Sequence, residues 1–158
     1  VHFANIMALL PTIQWSGAED DLKRRIAPLK PVHDSDKTIG DQSRTSYALL
    51  GTPILISMYF DNSVFDWAEL DLAYSKDFYD SEDYLDYYDK YVAHYGEHFR
   101  NAKSAVIATL GNPDSESGSD EPLNCAWERK EATFRLSSEH EDRELPFRVV
   151  LRIHPVKT

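Results

Sequence analysis

The residue pattern best suited to catalysis is His94-Tyr-Gly-Glu97-His98. On a helix, histidines four residues apart share a face, where they bind Zn²⁺ while a nearby glutamate acts as general base. This His-x-x-Glu-His spacing is typical of the inverted zinc peptidases, which take a further carboxylate ligand from a later helix. The 60 residues after His98 favour a loop and strands, and Gly96 weakens a helix by about 1 kcal/mol relative to alanine. The pattern therefore favours an ordinary helix face, with a zinc-dependent hydrolase as the alternative.

Other catalytic patterns are missing from the sequence. Its six glycines are scattered, so neither a Gly-rich phosphate loop nor a Gly-x-Ser-x-Gly elbow can be assembled. The single cysteine, Cys125, excludes an intrachain disulfide and favours a small buried strand residue. We therefore expect no enzyme activity, no cofactor and no resident metal.

Targeting signals are also missing. No apolar run approaches the roughly 20 residues that span a bilayer, and residues 1–10 lack the basic region of a signal peptide. The single cysteine fits a reducing compartment. A cytoplasmic location without membrane contact is expected.

Net charge is distributed unevenly along the chain. The 158 residues carry 27 acidic and 17 basic side chains, a net charge of −10. Residues 61–99 hold eleven acids against two lysines, so this segment supplies −9 of the total. Nucleic-acid binding needs clustered Lys and Arg, so a nucleic-acid partner is not expected. A localised negative field suits a basic protein partner, although a solvated helix face that maintains solubility is the plainer interpretation.

Two short helices are predicted at the N-terminus. Residues 3–15 begin with a mostly apolar run that favours the first helix. The second is predicted to begin after Ser16 as N-cap, because Glu19 stands three residues further along in a Ser-x-x-Glu capping box. It is predicted to end before Pro31.

A loop and an antiparallel meander are predicted next. Residues 31–43 are polar and are predicted to form a loop. After them, apolar and polar residues alternate with the period of two that half-buried strands show. The three strands predicted in this way are residues 46–50, 54–60 and 67–74.

A long amphipathic helix is predicted from Asp80 to Leu110. Apolar and aromatic residues recur there at steps of three and four, which predicts a stripe that faces the core. The stripe consists of Tyr84, Tyr88, Tyr91, Tyr95, Phe99, Ala102 and Val106. Gly111 fits the position after the last turn, and Pro113 cannot continue the helix.

The last third of the chain predicts an acidic loop and three more strands. Residues 112–122 are acidic, rich in serine and almost without apolar side chains, which is typical of a flexible loop. Alternating residues predict strands around Cys125 and Trp127, over residues 132–136 and over residues 147–153. The solvent face of the final strands is predicted to carry Arg135, Arg148 and Arg152.

The element order α-α-β-β-β-α-β-β-β predicts the fold class. It indicates a single α+β domain over residues 1–158. The sheet is expected to be largely antiparallel, with five to six strands, and the long helix and the N-terminal helices are expected to pack on it.

The Asp- and Tyr-rich part of the long helix is the candidate partner-binding surface. Exposed tyrosines beside carboxylates suit a partner rich in Lys or Arg. The predicted contact residues are Asp77, Tyr79, Asp80, Glu82, Asp83, Asp86, Tyr87 and Asp89. One alternative is that all the tyrosines lie in the core with satisfied hydroxyls. Others place the interface on the 112–122 loop or on the arginine face of the final strands.

These features together resemble the small acidic immunity proteins of bacterial toxin systems, such as those paired with contact-dependent inhibition toxins. The shared features are a small single α+β domain, one cysteine, no catalytic constellation, and the Asp- and Tyr-rich segment 77–89. The resemblance implies a non-enzymatic protein that binds and neutralises a cognate toxin, with the acidic segment meeting a basic surface. The order of elements is also similar to the type III secretion chaperones, which implies an adaptor as the alternative. The oligomeric state is left open.

Overall fold

A computed structural model describes five stretches of the chain and the elements within them. The stretches are residues 2–52, 54–74, 84–117, 123–139 and 148–156, with the backbone alone described at 2, 73–74 and 84–95. The α-helices are α1 (His2–Leu9), α2 (Glu19–Arg25) and α3 (Tyr84–Leu110), with 3-10 turns at Leu10–Thr12 and Ala27–Leu29. The strands are β1 (Val32–Ile39), β2 (Gln42–Ala48), β3 (Leu55–Asp61), β4 (Val64–Tyr74), β5 (Ser115–Glu116), β6 (Asn124–Glu128), β7 (Ala132–Glu139) and β8 (Arg148–Pro155). None of these three helices has the length and apolar character needed to cross a membrane.

The strands form one open antiparallel sheet in the order β1-β2-β3-β4-β8-β7-β6-β5. The sheet therefore consists of two meanders, β1–β4 and β5–β8, and the pairing of β4 with β8 joins them. The predicted α+β class and antiparallel sheet are confirmed. The predicted count of five to six strands is wrong, because eight strands lie in the described part of the chain.

One face of the sheet lies against the helices and forms the core. Its central row runs across five strands through residues that pair directly in turn: Ile56, Leu70, Leu151, Leu136 and Cys125. Each of these side chains is at most 1% exposed. Residues of α1, α2 and α3 join them in one apolar cluster, so the period-two patterns identified the buried face correctly.

The capping box predicted at Ser16 is wrong. Helix α2 begins at Glu19 with Ala18 as its N-cap. The reason is that the preceding backbone pairs with the β3–β4 turn instead of winding into a helix. The amide of Phe65 donates to the carbonyl of Gly17 at 2.8 Å, and the amide of Glu19 donates to the carbonyl of Ser63 at 2.8 Å.

The loop predicted at residues 31–43 is also wrong. Most of it forms β1 and the start of β2, which pair antiparallel. Strand β1 is an edge strand whose residues are nearly all exposed. It has no buried face, so the alternation on which the strand prediction depends does not arise. Similarly, β5 is a two-residue strand inside the loop predicted at 112–122.

The long helix is confirmed over its described residues. Phe99, Ala102 and Val106 of the predicted stripe are buried, at 5%, 5% and 0% exposure. Gly111 has φ +84° and its amide donates to the carbonyl of Ile107 at 2.8 Å, as expected for a residue that ends a helix. The predicted helix start at Asp80 and the side chains of the tyrosine stripe lie outside the described residues.

Candidate functional site

The face of the sheet opposite the helices, which we call the open face, carries the candidate site. Buried side chains that point to this face, such as Val150 and Ala126, do not belong to the apolar cluster that includes the helices. Antiparallel sheets commonly leave one face to solvent, and that face is then polar. Here it instead concentrates aromatic and arginine side chains.

Three aromatic rings are stacked side by side on the open face, across β3, β4 and β8. The rings of Tyr59 and Trp67 are nearly parallel, 4° apart in plane and 4.1 Å between centroids. The ring of His154 continues the stack at 6.0 Å from Trp67, with planes 14° apart. We call these three residues the aromatic ladder. Burial raises the pKa of Tyr59 above its ordinary value, so its hydroxyl stays protonated at neutral pH.

An arginine–carboxylate network lies beside the ladder. Arg152 Nη2 is 2.9 Å from Glu69 Oε1, and Arg148 Nη2 contacts the same oxygen at 3.2 Å. Arg148 Nη2 also donates to Asp71 Oδ1 at 2.7 Å. Arg152 makes two hydrogen bonds to the Glu139 carboxylate, one of them at 3.1 Å. The network thus ties β4, β8 and β7 together through charged side chains.

Burial and charge have opposing effects in this network. The side chain of Glu69 is only 10% exposed, while Arg148 and Arg152 are 27% and 24% exposed. Burial alone would raise the pKa of Glu139, but the hydrogen bond and charge of Arg152 outweigh it and hold the pKa below its ordinary value. Glu69, Asp71 and Glu139 each contact at least one guanidinium.

The predicted arginine face is confirmed in its location. Arg148 and Arg152 lie on the open face because successive strand side chains alternate between faces, and Arg135 opposes Arg152 and is exposed. The sequence did not indicate the carboxylates with which these arginines pair. Arg148 and Asp71 are 77 positions apart in the chain, and only the pairing of β4 with β8 brings them together.

The residues predicted from the Asp- and Tyr-rich segment are not tested. Asp77, Tyr79, Asp80, Glu82 and Asp83 lie outside the described residues. The other three predicted residues, Asp86, Tyr87 and Asp89, lie in α3, where only the backbone is described. The predicted surface therefore stays a prediction.

The zinc pattern is not tested either. Glu97 and His98 are exposed on α3, and the side chain of His94 is not described. Among the described side chains, no three His, Cys, Asp or Glu residues are grouped as metal ligands would be.

A polar cavity of about 570 Å³ lies on the helix side, between α2 and the β1–β2 hairpin. A β-bulge in β1 brings His33 and Asp36 to the same face, and their side chains pair at 3.0 Å. Hydrogen bonds from His33 and Thr45 lower the pKa of Asp36. Lys23 pairs with Glu19 across the cavity wall at 3.2 Å. Of the charged residues that line this cavity, Glu19, Lys23 and Asp36 are therefore already paired.

The open face therefore combines stacked aromatic rings with arginines that contact carboxylates, all on one antiparallel sheet. Compared with known protein families, curated proteins and solved structures, the chain matches none of them.

Proposed function

We propose that the chain is a non-enzymatic protein-binding module that uses the open face as its recognition surface. The observation that supports this most directly is the partly exposed Tyr59–Trp67 stack beside Arg148 and Arg152. Tryptophan, tyrosine and arginine are the residues in which interface hot spots are enriched. Tyr59, Trp67, Arg148 and Arg152 place four residues of these types on one sheet face.

The way these side chains are held also supports binding. Each ring of the ladder packs against its neighbour, and each arginine is fixed by at least two carboxylate contacts. Side chains that are already ordered lose little conformational entropy when a partner binds. The paired arginines also leave no isolated charge to be buried in the complex.

For the partner we propose a basic toxin domain, which the chain binds and neutralises in the cytoplasm as an immunity protein. The net charge of −10, of which residues 61–99 supply −9, favours encounter with a basic protein. The resemblance to acidic immunity proteins indicates the same partner class. In this proposal the acidic segment attracts the toxin, and the open face supplies the short-range contacts.

The test starts from the gene adjacent to the one that encodes this chain, which on this proposal encodes a toxin. Its purified toxin domain is titrated by calorimetry with the wild type, with Trp67→Ala, and with Arg24→Ala as a control on the exposed surface of α2. Loss of a hot-spot residue should weaken binding at least about 30-fold, because hot spots contribute 2 kcal/mol or more. Arg24→Ala should bind as the wild type does.

Two results would contradict the proposal in different ways. If the wild type neither binds the toxin domain nor rescues cells that express it, the immunity function is wrong. If Trp67→Ala binds normally while charge reversal at Asp83, Asp86 and Asp89 abolishes binding, the interface is the acidic segment and not the open face.

A further inference from the structure

At its β1–β2 end the open face carries two cations that face each other, Lys37 on β1 and Arg44 on β2. Arg44 in turn is directly opposite Tyr59, the first ring of the aromatic ladder. Neither cation forms an ion pair with any residue that the structure describes. This contrasts with Arg148 and Arg152, which share three carboxylates.

This arrangement opposes folding. Like charges directly opposite each other on a sheet repel. The Nε atom of Arg44 is buried and has no hydrogen-bond partner among the described groups. Its Nη2 atom reaches the Ser35 hydroxyl at 3.4 Å, beyond the range of a good hydrogen bond. A pair of positions that breaks local rules without compensation is typical of a functional site.

The neighbouring row of the face consists of small side chains. Ser35, Ser46 and Ser57 follow one another across β1, β2 and β3. The hydroxyls of Ser46 and Ser57 bond each other at 2.8 Å, and Ser46 is only 4% exposed. Serine side chains are shorter than those of Arg44 and Tyr59, so this row does not stand in the way of a partner that contacts Lys37, Arg44 and Tyr59.

We infer that Lys37 and Arg44 accept a carboxylate of the partner protein, and that an adjacent aromatic or apolar side chain of the partner packs on Tyr59 and Trp67. This inference rests on the proposed binding function and specifies the chemistry of the bound segment: an acidic residue next to an aromatic or apolar one. Two cations, one of them the planar guanidinium of Arg44, suit a single carboxylate. A nucleic acid suits the site less, because its dense row of phosphates would be repelled by a chain of net charge −10.

The test uses a defined probe, the dipeptide N-acetyl-Phe-Glu-amide, with N-acetyl-Phe-Gln-amide as its neutral match. Both are titrated into labelled protein while the NMR signals of the Trp67 indole and the Arg44 Nε–H group are followed. The glutamate dipeptide should give saturable shifts at both groups and should bind at least about tenfold more tightly than the glutamine dipeptide, as expected for a charge-assisted contact.

Variants separate this site from general electrostatic attraction. Arg44→Gln should abolish the preference for the glutamate dipeptide, whereas Arg135→Gln, an exposed arginine elsewhere on the same face, should leave it intact. Arg44→Gln should also raise the Tm by about 1–3 °C, because it removes a cross-strand repulsion. If Arg44 instead stabilised the fold, Arg44→Gln would lower the Tm.

Several outcomes would overturn the inference. Equal affinity for the two dipeptides would show that the carboxylate is not recognised. If Arg135→Gln lost the preference for the glutamate dipeptide, the carboxylate would not be recognised specifically by Arg44. Displacement of the dipeptide by a single-stranded oligonucleotide at lower concentration would identify a nucleic-acid site. If Trp67→Ala still loses toxin binding in any of these cases, the proposed function stands without this inference.

Discussion

Removing the Glu69 carboxylate from the arginine–carboxylate network should destabilise the fold measurably. In Glu69→Gln, Arg148 and Arg152 lose the negative charge that both contact through the same oxygen, at 3.2 and 2.9 Å. Breaking a fully buried ion pair costs about 3–5 kcal/mol, and breaking an exposed one costs about 0–1 kcal/mol. The glutamate is 10% exposed but the arginines are 27% and 24% exposed and keep other carboxylates. The free energy of unfolding should therefore fall by about 2 kcal/mol.

The assay is equilibrium unfolding in urea together with a thermal scan. A loss of about 2 kcal/mol corresponds to a Tm lower by about 4–8 °C for a chain of this size. The matched control is Asp66→Asn, which removes a carboxylate from an exposed position on the same strand. If Glu69→Gln and Asp66→Asn differ by less than about 0.5 kcal/mol, the network contributes no more than surface pairs and the reasoning is refuted.

Two further predictions concern titratable groups. The folded pKa of Glu139 is below its unfolded value, so its ionised form stabilises the fold above the unfolded pKa, and this stabilisation is lost as pH falls through the folded pKa. In Glu139→Gln, the free energy of unfolding should therefore fall less steeply with decreasing pH below about pH 4.5 than in the wild type. An equally steep fall in the variant would contradict this prediction. Burial raises the pKa of Cys125 to about 11, and its side chain is 1% exposed. A disulfide reagent at pH 8 should accordingly label it only in urea, and rapid labelling of the folded protein would show that the site opens.

The sequence predicted the elements whose patterns are local. Alternation along a strand identified Leu136, Leu151 and the core residues two positions from them, because apolar residues recur there at every second position. It failed at β1, since a strand exposed on both faces has no alternation to detect. It also failed at Ser16, where the capping signal was outweighed by backbone pairing with Phe65, a residue distant in the chain.

The candidate site could be predicted only in part, for a related reason. The outward direction of Arg148 and Arg152 follows from their own strand, but their carboxylate partners lie on β4 and are brought close by tertiary pairing. The aromatic ladder likewise joins β3, β4 and β8, and no spacing within one strand indicates that Tyr59, Trp67 and His154 stack. Sites that span several strands depend on register, which a single sequence specifies only through the whole fold.

The pairing of β4 with β8 also has a consequence for the order of folding. Each meander pairs strands that are neighbours along the chain, whereas Glu69 and Arg152 are 83 positions apart. Closing such a long loop is entropically costly, so contacts of this kind form slowly. During synthesis, β4 therefore remains an open edge with unpaired backbone groups until β8 has emerged. In that interval the chain is most exposed to intermolecular strand pairing.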